Sequence, residues 1–188
     1  ARDHPDIVLE IHLDDRFGDL VEEGFDLAIR ITRLENSSLI ARKLAPFSIC
    51  LCASPEAIAK YGRPARPQDL GSLPCIIDTN GRWLSNWPFA NGAGDTVSVS
   101  VSGPIEVNSP IAARAAALAG LGFAILPDFI AAAEIENGRL VPVLDEFLLN
   151  GRGIFAVYPH RRYLPAKVRV FVDYLVQWFK AREKVRLA

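Results

Sequence analysis

Residues 109–127 read SPIAARAAALAGLGFAILP. Ser109-Pro110 is a helix start: a serine that can accept from the free first-turn amides, then a proline whose fixed φ suits the first turn. The alanine-rich run behind it favours helix. Gly120 closes it, because glycine takes up the left-handed backbone that ends a helix. LGFAILP then makes a continuous apolar strand that stops at Pro127. A helix feeding straight into a buried strand is the repeating unit of α/β architecture. Gly120-Leu121-Gly122 is half of a dinucleotide fingerprint, but it lies after a helix and before a strand, the reverse of what cofactor binding requires. Close packing of helix on sheet is the expected use of these glycines.

The same alternation extends in both directions. Upstream, Ile7, Leu9, Ile11 and Leu13 alternate and predict a strand, and Asp14-Asp15 predicts a short helix ending at Gly24. FDLAIRI (25–31), LIARKLA (39–45) and FSICLCA (47–53) read as three more strands. Ser54-Pro55 opens a helix that Gly62 closes. Cys75-Ile76-Ile77 is a short buried strand that ends at Asp78. Residues 79–95 show no regular pattern, and TVSVSVSG (96–103) reads as a half-exposed strand. PIEV (104–107) is another strand, running out at Asn108-Ser109. Downstream, Asp128 caps a helix through Glu136, LVPVL and IFAVY are strands, and Pro165 starts a last helix. Its apolar stripe is Val168, Phe171, Val172, Leu175 and Phe179. Alternating strands and helices predict an α/β fold with a mostly parallel sheet.

Composition narrows the function. The chain has 188 residues, half of them hydrophobic, with 21 Lys+Arg against 22 Asp+Glu and a net charge of −1. That balance argues against this chain gripping nucleic acid or an anionic membrane by itself. No apolar run approaches the roughly 18 residues of a membrane span, and no signal-peptide pattern opens the chain. There is no Met and the first residue is Ala1, so a fragment or processed chain is expected. Cys50, Cys52 and Cys75 form neither a disulfide framework nor a zinc knuckle. Buried thiols in a reducing, cytoplasmic compartment are the expectation.

The search for chemistry returns little. The nucleophile elbow, H-E-x-x-H and the Walker loop are absent. His4, His12 and His160 are scattered surface histidines, so no metal, no cofactor and no catalytic residue is expected. Asp78 could serve as a base, yet no nucleophile partners it, and a capping or lining role fits better. Asn108-Ser109-Pro110 offers amide, hydroxyl and free N–H groups at a helix start, which suits an anion or an ordinary cap. Ligands of open α/β sheets sit beyond the carboxyl ends of strands. That rule selects Thr32 and Arg33 after FDLAIRI, Ser54 after FSICLCA, Asp78 after its strand, Asn108 and Ser109 at the helix start, and Phe123 where the next strand begins.

Several motifs in register carry a resemblance. Residues 19–30 (DLVEEGFDLAIR), 37–44 (SSLIARKL), 52–55 (CASP), 117–127 (ALAGLGFAILP), 138–144 (GRLVPVL), 156–159 (AVYP) and 164–173 (LPAKVRVFVD) resemble the effector domain of LysR-type transcriptional regulators. The resemblance implies a two-lobed type 2 periplasmic-binding-protein-like fold, each lobe an α/β sandwich, joined by two crossover strands. Lobe one would be residues 1–48 and 156–188, and lobe two 49–155. It also implies a small-molecule effector in the inter-lobe cleft and association into a homodimer or homotetramer, with no membrane. The family's helix-turn-helix domain, and the effector domain's own first strand and helix, would lie before Ala1. DNA would then be met only through that absent N-terminal part. Arg33 and the Ser109 helix start would suit a carboxylate-bearing effector, while Asp78 argues against several negative charges on it. The alternatives are a solute-binding protein or enzyme on the same scaffold, or an interaction module without a ligand.

Overall fold

A computed structural model describes residues 4–13, 20, 22–32, 39–80, 83–91, 95–149, 151–159 and 165–186. In chain order the strands are β1 (Ala28–Thr32), β2 (Leu39–Phe47), β3 (Ile49–Ala53), β4 (Pro74–Asp78), β5 (Asn86–Ala90), β6 (Thr96–Ser100), β7 (Ser102–Val107), β8 (Phe123–Pro127), β9 (Val141–Pro142) and β10 (Arg152–Pro159). The helices are α1 (Pro55–Tyr61), α2 (Pro110–Leu118), α3 (Asp128–Glu136) and α4 (Ala166–Arg186). The chain divides into two compact units, residues 1–47 with 151–188, and residues 48–150.

The first unit holds a three-stranded sheet in the order β1-β10-β2. Both pairings are antiparallel, with Thr32 opposite Gly153 and Phe47 opposite Arg152. α4 packs on this sheet through Val168, Val172 and Val176, which meet Leu44, Ala156 and Tyr158. Leu175 and Phe179 of the predicted stripe lean on the same cluster. The predicted strand at 7–13 is not formed. Val8, Ile11 and Leu13 are 93%, 73% and 95% exposed. Alternation buries a face only where a neighbouring strand and a core cover it, and no described strand pairs with this segment. Most of the helix predicted after Asp14-Asp15 lies outside the described residues, and Glu22, Glu23 and Gly24 at its predicted end form a turn.

The second unit is built on a five-stranded sheet in the order β7-β4-β8-β3-β9. The expected mostly parallel sheet is in fact mixed. β4 is parallel to β7 and β8, whereas β3 is antiparallel to β8 and β9. Parallel strands need a crossover connection, and α2 supplies one between β7 and β8, which lie on either side of β4. β3 has none: only Ser48 separates it from β2, so it enters its sheet from the other direction. The helices α2 and α3 cover one face through Ala113, Ala116, Ala117 and Ala131, packed against Cys52, Ile76, Ala124 and Leu126. Small alanines let the helices lie close to the strands. The other face packs on the β5–β6 hairpin, where Trp87 pairs Val99 and Phe89 pairs Val97. β5 falls in the stretch read as irregular, because Pro88 interrupts the β-signal of NWPFA. TVSVSVSG is likewise divided between β6 and β7.

All three thiols are buried. Burial raises Cys75 from 9.0 to about 12. Cys52 is raised by its hydrogen bond to the Cys50 sulfur and by burial, and the same hydrogen bond lowers Cys50.

Two outcomes follow from this packing. A Cβ on Gly103 would stand 1.7 Å from the Cys75 carbonyl oxygen, whereas one on Gly71 would meet only Ser100 at 3.5 Å. Gly103→Ala is expected to cost about 2–3 kcal/mol or more by urea denaturation, and Gly71→Ala under about 0.5 kcal/mol. The Cys75 thiol stays neutral in the folded chain while the unfolded thiol ionises above 9.0. Stability is therefore complete below that pH and falls as pH rises toward about 12. Cys75→Ala should flatten this alkaline slope in denaturation curves.

Candidate functional site

Strand direction decides which polar groups can meet. β4, β7 and β8 run the same way, so their carboxyl ends share one edge of the second unit's sheet. Asp78 at the end of β4 lies opposite Val107 at the end of β7. Asn108 and Ser109 follow Val107 directly and begin α2. Asp78, Asn108 and Ser109 are thus brought together. Asp78 and Ser109 are half-buried and Asn108 is exposed.

The join between the two strand ends is tight. The Thr79 amide donates to the Val107 carbonyl at 2.7 Å, and the Thr79 hydroxyl donates to the same oxygen at 3.1 Å. The Asn80 side-chain amide donates to the Asn108 carbonyl. The Asn80 main-chain amide donates to the Asp78 carboxylate at 3.0 Å, an Asx turn. On the same edge, the Asp128 amide donates to the Ser48 carbonyl at 3.1 Å and so ties the start of α3 to the start of β3. Asp128 is the first residue of α3 rather than its cap, the position before it being Pro127. A carboxylate in a first helical turn is favourable there.

Ser109 holds the position before α2, but its hydroxyl makes no capping hydrogen bond to the helix. Its carbonyl accepts from the Ala113 amide at 2.9 Å. The first-turn amides of a helix have no partner within it. This edge therefore presents a serine hydroxyl and backbone donors beside the Asp78 carboxylate. That arrangement can bind an acceptor group such as a carboxylate.

Two predicted residues lie elsewhere. β3 is antiparallel to β8, so Ser54, which follows β3, sits at the amino edge of the sheet. It is 3% exposed, and its Oγ accepts from the Ala57 amide at 3.2 Å as the cap of α1. Phe123 also lies at the amino edge, opposite Cys75 in β4, and is fully buried in the core. In the first unit, Thr32 ends β1 and is half-buried, with Gly153 opposite it. Arg33 lies outside the described residues, as does His160. Ser48, Thr79 and Asn80 were not selected from sequence. The signal for the last two was present, since Asp-Thr-Asn at a strand exit is turn-forming chemistry. Among the described residues no group of three His, Cys, Asp or Glu could hold a metal ion.

The profile of the LysR substrate binding domain matches residues 1–180. The HTH-type transcriptional regulator DmlR of Escherichia coli K12 is 38% identical over 180 residues, covering 95% of this chain and 58% of that protein. PtxR of Pseudomonas aeruginosa, another HTH-type transcriptional regulator, is 35% identical over 187 residues, covering 100% of this chain and 59% of PtxR. The chain thus spans under three-fifths of the length of these curated relatives. Among solved structures, the regulatory domain of AphB from Vibrio vulnificus matches with a TM-score of 0.79 at 31% identity, covering 94% of this chain and 87% of that one. The regulatory domain of CrgA, a LysR-type transcriptional regulator from Neisseria meningitidis, matches with a TM-score of 0.71 at 31% identity, covering 85% of this chain and 78% of that one.

The two serines separate cap from site. Ser54→Ala removes a buried cap and should cost about 1 kcal/mol in thermal denaturation. Ser109→Ala removes a hydroxyl that does not cap and should cost only a few tenths, within about 0.5 kcal/mol. Equal losses would mean that Ser109 caps α2 in solution.

Proposed function

The chain belongs to the LysR substrate-binding domain family, and from that membership we propose that it is the effector-sensing part of a longer transcriptional regulator. The observation that carries the site is the in-register meeting of Asp78 with the Asn108-Ser109 start of α2, where the Ser109 hydroxyl is not spent on capping. We place the effector at this edge, with Asp78, Asn108 and Ser109 as the second lobe's contribution. Thr32 and Arg33 of the first unit stay in the proposed set on the family resemblance alone. Ser54 and Phe123 are left out of the proposed set, because their edge is the opposite one.

The effector we propose is a small molecule bearing a carboxylate. Backbone amides and a hydroxyl at a helix start favour an anion. The neighbouring Asp78 carboxylate penalises a second negative charge, and it can accept from a hydroxyl or ammonium on the same ligand. Effector binding then shifts a conformational equilibrium, which the full-length protein reads as altered DNA binding. DNA contact belongs to a helix-turn-helix part such as the names of the relatives carry. No enzymatic activity is assigned. No described helix is long and apolar enough to cross a membrane, and a cytoplasmic location accords with the reduced thiols. We further place the chain in a homodimer. Val8, Ile11 and Leu13 in the first unit, and separately Ile111 in the second at 58% exposed, are apolar residues that a second copy can cover.

Isothermal titration with a panel of two- to six-carbon mono- and dicarboxylates tests the site. A binding member is expected, weakened about tenfold or more by Ser109→Ala or Asn108→Ala and untouched by Ser54→Thr. Binding that ignores both α2-start variants would remove this edge from consideration. In fluorescence anisotropy at physiological salt, the chain alone should show no sequence-selective duplex binding tighter than about micromolar, since its net charge is −1.

A further inference from the structure

We infer that Asn80 is a positioning residue for the effector edge, an inference that rests on the reading of Asp78, Asn108 and Ser109 as that edge. Asn80 is exposed and follows the strand rather than belonging to it. Its side-chain amide nevertheless donates to the Asn108 carbonyl, while its main-chain amide donates to the Asp78 carboxylate at 3.0 Å. One residue therefore ties the Asp78 side chain to the start of α2. Thr79 closes the same join from the β4 side through its two hydrogen bonds to the Val107 carbonyl.

The chemical consequence is one of sign. The carbonyls of Val107, Asn108 and Ser109 accept from Thr79, Asn80 and Ala113 respectively. The acceptors at the exit of β7 are thereby engaged from within the fold. What remains on the α2 side, next to the Asp78 carboxylate, is donor chemistry: the Ser109 hydroxyl and the first-turn amides of Ile111 and Ala112. Removing the Asn80 amide releases the Asn108 carbonyl, an acceptor that repels a carboxylate. Asn80 thus tunes the edge toward an anion without touching the ligand.

A residue that merely adds a hydrogen bond would behave differently, and the chain contains one for comparison. The Asn137 side-chain amide donates to the Ala133 carbonyl at 2.8 Å at the end of α3, away from the carboxyl edge. Amide hydrogen exchange on the 188-residue chain without ligand compares wild type, Asn80→Ala, Asn80→Asp and Asn137→Ala. Exchange at the hydrogen-bonded amides of Thr79 and Ala113 is expected to rise roughly three- to tenfold in both Asn80 variants, the range for loss of one net hydrogen bond. It should stay unchanged in Asn137→Ala. Unchanged exchange at Thr79 and Ala113 in Asn80→Ala, or an equal rise there in Asn137→Ala, overturns the inference. The carboxylate panel supplies the second readout: the binding member should weaken about tenfold in Asn80→Ala and keep its affinity in Asn137→Ala. Equal affinities in wild type and Asn80→Ala would overturn the positioning role. Failure of every carboxylate to bind wild type would instead sink the effector reading, and the exchange comparison would still decide whether Asn80 holds the α2 start.

Discussion

The approach of β4 to its two parallel neighbours is the constraint on which the second unit depends. A Cβ on Gly103 in β7 would stand 1.7 Å from the Cys75 carbonyl oxygen, and one on Gly122 before β8 would stand 2.2 Å from that of Pro74. Two glycines therefore flank the start of β4, one on each side, at distances no side chain tolerates. They let the backbones close and set the registers of Cys75 with Phe123 and of Asp78 with Val107. Once those registers hold, the exits of β4 and β7 are neighbours, and Asp78 faces the start of α2. The Asp-Thr-Asn turn then has carbonyls within reach.

α2 is held from its other side as well. Glu134 on α3 is buried, with Arg139 as its ion-pair partner and Arg114 of α2 at 3.9 Å. A buried carboxylate without cations would be strongly unfavourable, so the pair of arginines makes its burial possible. This cluster links α2 to α3, while Ala113, Ala116 and Ala117 seat α2 on the sheet. The Asp128–Ser48 hydrogen bond brings the α3 start to the edge where α2 also begins. The candidate site thus rests on two helices and three strand ends, and its groups are placed by sheet register and helix packing together.

The same sheet shows why a strand's sequence position does not say which edge it serves. Ser54 and Asp78 each follow an apolar strand, and by pattern they are equivalent. β3 is antiparallel to β8, so Ser54 turns toward the amino edge and caps α1, while Asp78 remains at the carboxyl edge. Phe123 opens a strand near Gly120, which looked close to the α2 start in sequence. α2 spans the sheet from edge to edge, and so it carries Phe123 away from Ser109. The unmade strand at 7–13 teaches a related lesson, because its alternating pattern is genuine and Leu9, Ile11 and Leu13 are nevertheless exposed.

What the sequence by itself determined was local. The bounds of α2 and β8, the buried face of α4, the closing glycines and the burial of the three cysteines all follow from propensity, capping and periodicity within a short window. The polar character of 78 and 108–109 was legible in the same way, since a polar residue after an apolar strand marks its exit. Family membership was legible from seven motifs in order. Tertiary structure alone decided strand direction, register and the partner of each strand, and with them that Asp78, Asn108 and Ser109 meet while Ser54 and Phe123 do not. The reason is physical: periodicity encodes which face of a strand is buried, but it is unchanged when the strand is reversed end for end. Direction is set by connections and by backbone approaches such as those at Gly103 and Gly122, which join residues dozens of positions apart.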